Sequence, residues 1–186
     1  WLAWDGNISS ASGIEQGEEQ HILVRLVRAD GVEVRQRAES SPCRLLALAH
    51  NEHFTYAVAD VTPAYGGAAA PTYGVSRIER EFLFIRPGTV VVMDRVAGTS
   101  SGTRKIWTLN LPCQPSLSPG RMQYTAGGNQ LDVYGLAPAG LTGVWTAGKR
   151  VEVTDTSAEQ SNFLHVLGTN GAVQAAVRDD LTGQTG

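Results

Sequence analysis

Residues 75–98 read VSRIEREFLFIRPGTVVVMDRVAG. Two strand-like runs, Val75–Ile85 and Thr89–Val96, flank a proline-glycine turn, which is the pattern of a β-hairpin. Its charges fix more than its existence. A two-residue loop at Pro87-Gly88 would set Arg80 opposite Arg95 and Glu81 opposite Asp94. Both are like-charge cross-strand pairs, which are unfavourable. A three-residue loop moves the register by one position and can oppose Glu81 with Arg95, or Arg80 with Asp94. We therefore expect the odd loop, or a bulge with the same effect.

Working outward, strand signals dominate. HILVRLVRADGVEVRQR, residues 21–37, reads as a second hairpin. Ile22, Val24 and Leu26 alternate, Asp30-Gly31 makes the turn, and Val32 and Val34 return. Further strands are expected at Arg44–His50, Phe54–Asp60, Lys105–Leu111, Met122–Thr125, Leu131–Tyr134, Gly143–Thr146, Arg150–Thr154, Asn162–Leu167 and Ala172–Val177. Cys43–His50 has the length of about two helical turns but no continuing apolar stripe, so a strand is the better reading. So many strands in one chain need two packed layers. The expected fold is all-β: a large antiparallel β-sandwich of two sheets with little or no helix, one domain over residues 1–178. The tail 179–186, DDLTGQTG, is expected to fray.

Composition agrees. The 186 residues include 21 Gly and 8 Pro, and only 18% are charged. That means many turns and few charged helical faces. The net charge of -3 comes without a basic stripe, which excludes a nucleic-acid surface. No run has the length of a membrane-spanning helix and no leader peptide is evident, so no membrane partner is expected. A chain that opens on Trp1 rather than Met, in mid-strand, reads as a fragment of a longer polypeptide. Cys43 and Cys113 permit one disulfide without requiring it.

Chemistry is sparse. HNEH places His50 and His53 three apart, with Glu52 between and Asp60 beyond. On a helix they would share a face; at strand ends they point apart, and no third ligand stands at a telling distance. They are the only metal candidates, and neither a metal nor a cofactor is expected. His165 reads as a packed sheet histidine. No nucleophile elbow, triad or phosphate loop is present. Glu79, Glu81 and Asp94 could make a glycosidic carboxylate pair, but their alternation with Arg77, Arg80 and Arg95 reads as cross-strand ion pairing. Among the aromatics, Trp107 alternates with Leu109 and Leu111 and reads as core. Tyr65 and Tyr73 flank a Gly/Ala/Pro loop and are the candidates for stacking on a sugar. HFTYAVADVTPAYGG, residues 53–67, ends a strand on Asp60. We read Asp60 as a hydrogen-bonding residue that caps the TPAY turn.

Four elements in order resemble the C-terminal β-domain of heparinase II/III-like polysaccharide lyases. Phe54, Thr55, Tyr56, Asp60, Thr62, Ala64 and Tyr65 match the first element. Arg80, Phe82, Phe84, Pro87, Asp94, Arg95 and Val96 match the second. Trp107 and Leu109 match the third, and Phe163, Leu164, Val166 and Leu167 the fourth. The match spans about residues 50–168. The resemblance implies a parent enzyme that cleaves uronic-acid-containing polysaccharides by β-elimination, in which a base removes the proton beside the carboxylate and an acid protonates the leaving oxygen. In that family the tyrosine and one histidine sit on an N-terminal helical toroid, and another histidine lies early in the β-domain in an H-x-x-D segment. This chain has neither the toroid nor that segment. It also has Asn110 where family members often carry His. No catalytic residue is therefore carried over, and the chain alone is expected to be inactive.

The resemblance further implies a secreted or periplasmic location, polysaccharide as partner, and a missing toroid of the same polypeptide. Asp60, Arg80, Asp94 and Arg95 are then structural motif positions. The alternative is an autonomous carbohydrate-binding sandwich, which predicts a row of exposed aromatics; a packing domain with no ligand is the third reading.

Overall fold

The computed structural model describes residues 24–34, 43–65, 74–98, 100–147, 149–157 and 159–178. Ile22, Tyr73 and the tail 179–186 lie outside the described residues. Thirteen strands are present among them: β1 Val24–Val27, β2 Glu33–Val34, β3 Arg44–His50, β4 Phe54–Asp60, β5 Arg77–Ile85, β6 Thr89–Ala97, β7 Arg104–Asn110, β8 Ser116–Ser118, β9 Arg121–Ala126, β10 Asn129–Ala137, β11 Val144–Thr146, β12 Arg150–Asp155 and β13 Gln160–Thr169. Helix among the described residues is limited to one 3₁₀ turn, Thr62–Ala64. The strands form two antiparallel sheets, one of five in the order β11-β12-β7-β1-β2 and one of eight in the order β3-β4-β5-β6-β13-β10-β9-β8. The expected all-β sandwich is the fold.

The β5–β6 hairpin takes the three-residue loop. Ile85 pairs with Thr89, leaving Arg86, Pro87 and Gly88 between them, and Arg80 stands opposite Asp94. The Arg80 guanidinium grips Asp94 with both arms, Nε to Oδ1 at 2.6 Å and Nη2 to Oδ2 at 3.0 Å. Glu81 finds Arg95 diagonally rather than as its opposite. Register decides sides, because a slip of one residue sends every side chain to the other face. With this register Ile78, Asp94 and Val96 point inward and are 1% exposed each.

Strand β7 is the centre of the smaller sheet, between β12 and β1. Trp107, Leu109 and the following Leu111 point to the core and are at most 1% exposed. They meet Val24 and Leu26 of β1, Val151 and Val153 of β12, and Phe163, Val133 and Leu131 of the larger sheet. Trp107 is core, as its alternation with Leu109 predicts. Its indole stacks on the His165 ring with centroids 3.7 Å apart and planes 12° from parallel, joining the two sheets face to face.

Two elements depart from the sequence reading. Strand β8 was not expected: it is three residues long between prolines, below the length at which alternation is visible. Ala172–Val177 was expected as a strand and is not one. Both edges of β10 are taken, by β9 and β13. The segment lies instead across the outer face of the sheet, where the Tyr134 hydroxyl donates to the Gln174 carbonyl at 2.9 Å. Gly168 permits this, since a Cβ there would sit 2.8 Å from Val173.

Asp94 has a side chain 2% exposed, and Arg80 26%. Removing the buried partner leaves a charge half-stranded, so Asp94→Ala should cost about 2–4 kcal/mol in urea unfolding. The double variant Arg80→Met/Asp94→Leu should recover most of that loss. Glu81→Ala, in a pair exposed by 24% and 29%, should cost under about 1 kcal/mol.

Candidate functional site

The strand end that drew attention in the sequence is built for structure. Asp60 Oδ1 accepts from the Thr62 amide at 3.0 Å, closing the turn as expected. Its second oxygen faces Arg44 at 3.6 Å. Thr62 Oγ1 accepts the Ile78 amide at 2.8 Å and so ties the turn to β5. The 3₁₀ turn, with Pro63 in its first positions, swings the chain back over the core.

Tyr65 corrects an expectation. It was read as a surface residue, but it is 1% exposed and its ring lies in the hydrophobic core. Its hydroxyl donates to the Val24 carbonyl on β1. A tyrosine buries its ring when the hydroxyl finds a backbone acceptor, and the TPAY turn delivers it to one. Such a residue offers no face to a sugar ring.

The carboxylates considered for glycosidic chemistry are engaged. Arg80 holds Asp94, Arg95 holds Glu81, and Arg77 reaches Glu79 at 2.8 Å. Tyr56 adds a hydrogen bond to Glu81 at 3.3 Å. Two of these pairs cross the hairpin as expected, whereas Arg77 and Glu79 lie two residues apart on the same strand.

The histidines separate. His50 ends β3 and pairs with Thr55, while His53 sits in the turn that Asn51 closes by accepting the His53 and Phe54 amides at 2.8 and 3.0 Å. Both histidines are exposed. Among the described residues no cluster of three or more His, Cys, Asp or Glu side chains is arranged to hold a metal. Cys43 and Cys113 are both exposed free thiols.

Two buried polar groups carry more weight than the sequence indicates. His165 is 1% exposed, and burial, aided by the Arg80 charge, lowers its pKa to about 3. Its Nδ1 has no hydrogen-bond partner among the described residues, nor has Trp107 Nε1. The ring borders a cavity of about 10 Å³ between Gly120, Gly135 and Leu141. That is roughly the space of one water, so no substrate reaches this imidazole. At the other group, Asp155 is 8% exposed and pairs in register with Lys105, which is fully buried. Burial pushes Asp155 up, but hydrogen bonds from Ser157 and Ser161 and the Lys105 charge bring it below the usual carboxylate range. Burial lowers Lys105, against the pull of Asp155, and its ammonium donates to the Ser157 carbonyl. The only signal for this cluster in the sequence is the polar run TDTSAEQS, which reads as an ordinary turn.

His165 makes the fold acid-sensitive. Its folded pKa of about 3 lies below the unfolded value near 6.5, so the unfolded chain binds the extra proton first. The stability this group permits is complete above pH 6.5 and is lost as pH falls toward 3, at about 1.4 kcal/mol per unit. Between pH 6.5 and 5 the chain should lose roughly 2 kcal/mol through this group. His165→Phe or His165→Gln should flatten that part of the stability profile, read by denaturant midpoints across pH.

No protein-family model matches the sequence, and no curated protein matches it. Solved structures do match in fold. A heparinase III gene product superposes with a TM-score of 0.61 at 14% identity, over 90% of this chain and 26% of its own. The heparan sulfate lyase HepC from Pedobacter heparinus gives 0.56 at 15% identity, over 90% and 27%. Another heparinase III structure gives 0.59 at 11% identity, over 83% and 24%. This chain thus spans about a quarter of the length of those proteins. The resemblance carried by the four sequence elements is matched in three dimensions: the chain has the fold of the β-sandwich domain of heparinase III.

Proposed function

We propose that this chain is the β-sandwich domain of a heparinase III-like polysaccharide lyase, spanning residues 1–178. In this reading it supports a helical catalytic toroid, lines one wall of the cleft for a uronic-acid-containing polysaccharide, and does not itself carry the catalytic residues. The parent enzyme acts outside the cytoplasm, in the periplasm or as a secreted protein. The carrying observation is the joint one of motif and fold. The Asp60 turn, the Arg80–Asp94 hairpin and the Phe163 strand lie side by side in the larger sheet, and the Trp107 strand faces them from the smaller one, in a sandwich that superposes on heparinase III over 90% of its length.

The chemistry available fits a supporting role. β-Elimination needs a base that reaches a ring carbon and an acid that reaches the leaving oxygen. His165 is sealed in the core, and the hydroxyls of Tyr65 and Tyr134 are bonded to backbone carbonyls. The hairpin carboxylates are held by arginines. The autonomous binding module needs a row of open aromatic rings, whereas Tyr65, Trp107, Tyr124 and Tyr134 are buried and the more open rings of Phe54, Tyr56 and Phe82 divide between the two faces of the larger sheet.

Residues 1–186 alone, incubated with heparin, heparan sulfate or alginate, should produce no rise in unsaturated-uronate absorbance. The polypeptide expressed together with its upstream coding region should produce one on at least one of these polymers. Turnover by the isolated chain, or none by the longer one on any of the three, overturns the reading.

A further inference from the structure

The larger sheet is not covered evenly, and the unevenness is specific. One register row crosses its inner face through Leu48, Ala57, Phe82, Val92 and His165. At His165 the row lies beneath Trp107 and is closed. At Phe82 it is 38% exposed and at Leu48 60%. A second row crosses the outer face through Ala49, Tyr56, Leu83, Val91, Val166 and Tyr134. At Tyr134 the 172–178 segment covers it. At the β3–β5 end it opens into a groove lined by Ala49, His53, Phe54, Tyr56, Leu83 and Ile85. Both faces are therefore closed on one half of the sheet and open on the other.

The sequence of the open half is that of a strand meant to be covered twice. FLFI in β5 and VVVM in β6 are unbroken apolar runs, the pattern of strands buried on both faces, whereas β9 and β12 alternate as strands buried on one. The β3 edge, free among the described residues, has the same character. β3 reads RLLALAH, with Leu45 59% and Leu48 60% exposed and no charge between its ends. Isolated domains blunt such an edge with charge or proline.

We propose that the β3–β5 corner is a docking surface on which the rest of a longer polypeptide packs, covering both faces and the β3 edge. The inference rests on the reading of this chain as a domain of a heparinase III-like protein, whose solved relatives carry roughly three quarters of their chain beyond the matched part. The occupant is an apolar protein surface. A glycan needs polar groups to orient its hydroxyls. The open rows carry a single polar group, the Tyr56 hydroxyl, which is committed to Glu81, and His53 alone adds another at the groove.

Hydrogen–deuterium exchange tests this on residues 1–186 and on the polypeptide expressed with its upstream coding region. The amides of residues 45–49 should exchange fast in the shorter chain and be protected in the longer one. Leu48→Glu and Ile85→Glu, at exposed positions on the two faces, should leave the thermal midpoint of the shorter chain unchanged and abolish the protection in the longer one. Equal exchange in both chains overturns the proposal, as does a coding sequence with no upstream region. Elution of the shorter chain at twice 19.8 kDa, returned to monomer by Leu48→Glu, assigns the surface to a second copy and overturns it too. Protection without lyase activity in the longer chain keeps the docking surface and removes the enzymatic reading. Activity without protection does the reverse.

Discussion

The Arg80–Asp94 pair decides which way the larger sheet faces. A carboxylate 2% exposed survives burial only with a partner that satisfies it, and a bidentate guanidinium does so across the strand pair. The pair also selects against the alternative. A loop one residue shorter would bring Arg80 against Arg95 and Glu81 against Asp94, and would put Ile78 and Val96 on opposite faces of the sheet, so that one of them leaves the core. One ion pair thus fixes the loop, the register and the identity of the inner face together. Its net contribution to stability is modest beside the hydrophobic core. Its contribution to choosing one sheet among two is large.

From that inner face the second layer follows. Phe163 pairs with Asp94 and His165 with Val92, so the β6 register places both rings toward the smaller sheet. Trp107, at the centre of β7, meets the His165 ring face to face. The contact is available only while the imidazole is neutral, because a charge there would lie in a core without water and near the Arg80 cation. Ion pair and stack are therefore linked: the residue that fixes the hairpin also helps keep the histidine unprotonated. Gly135, whose added Cβ would lie 3.5 Å from the imidazole, belongs to the same arrangement, at the bulge where β10 bends beside the cavity.

Much of this was legible in the sequence where local chemistry settles structure. Charge alternation around RPGT forced the three-residue loop. Asp60 ahead of TPAY predicted the carboxylate-capped turn, and alternation about Trp107 predicted its burial. What could not be read depends on contacts distant in the chain. Tyr65 looked like a loop aromatic because nothing local reveals that the Val24 carbonyl waits for its hydroxyl, 41 residues earlier. Ala172–Val177 alternates like a strand, but a strand needs a free edge, and edges are a property of the assembled sheet. The Lys105–Asp155 cluster is invisible for the same reason. Its members come from three strands and a turn, and each is unremarkable by itself. At the candidate site the sequence correctly identified polar residues, and only the assembled fold shows that their chemistry is spent on holding strands.

A catalytic carboxylate or imidazole needs a perturbed pKa together with an open side facing substrate. Here the two properties do not coincide. His165, Asp155 and Lys105 are perturbed but sealed in the core. The described residues concentrate their electrostatic interactions inside and leave apolar strands exposed on both faces of one corner, which is the ground of the proposed docking surface. The unbroken runs of β5 and β6 are costly in water and useful only beneath further layers. The placement of apolar surface is the feature that the proposed assembly with further polypeptide would explain.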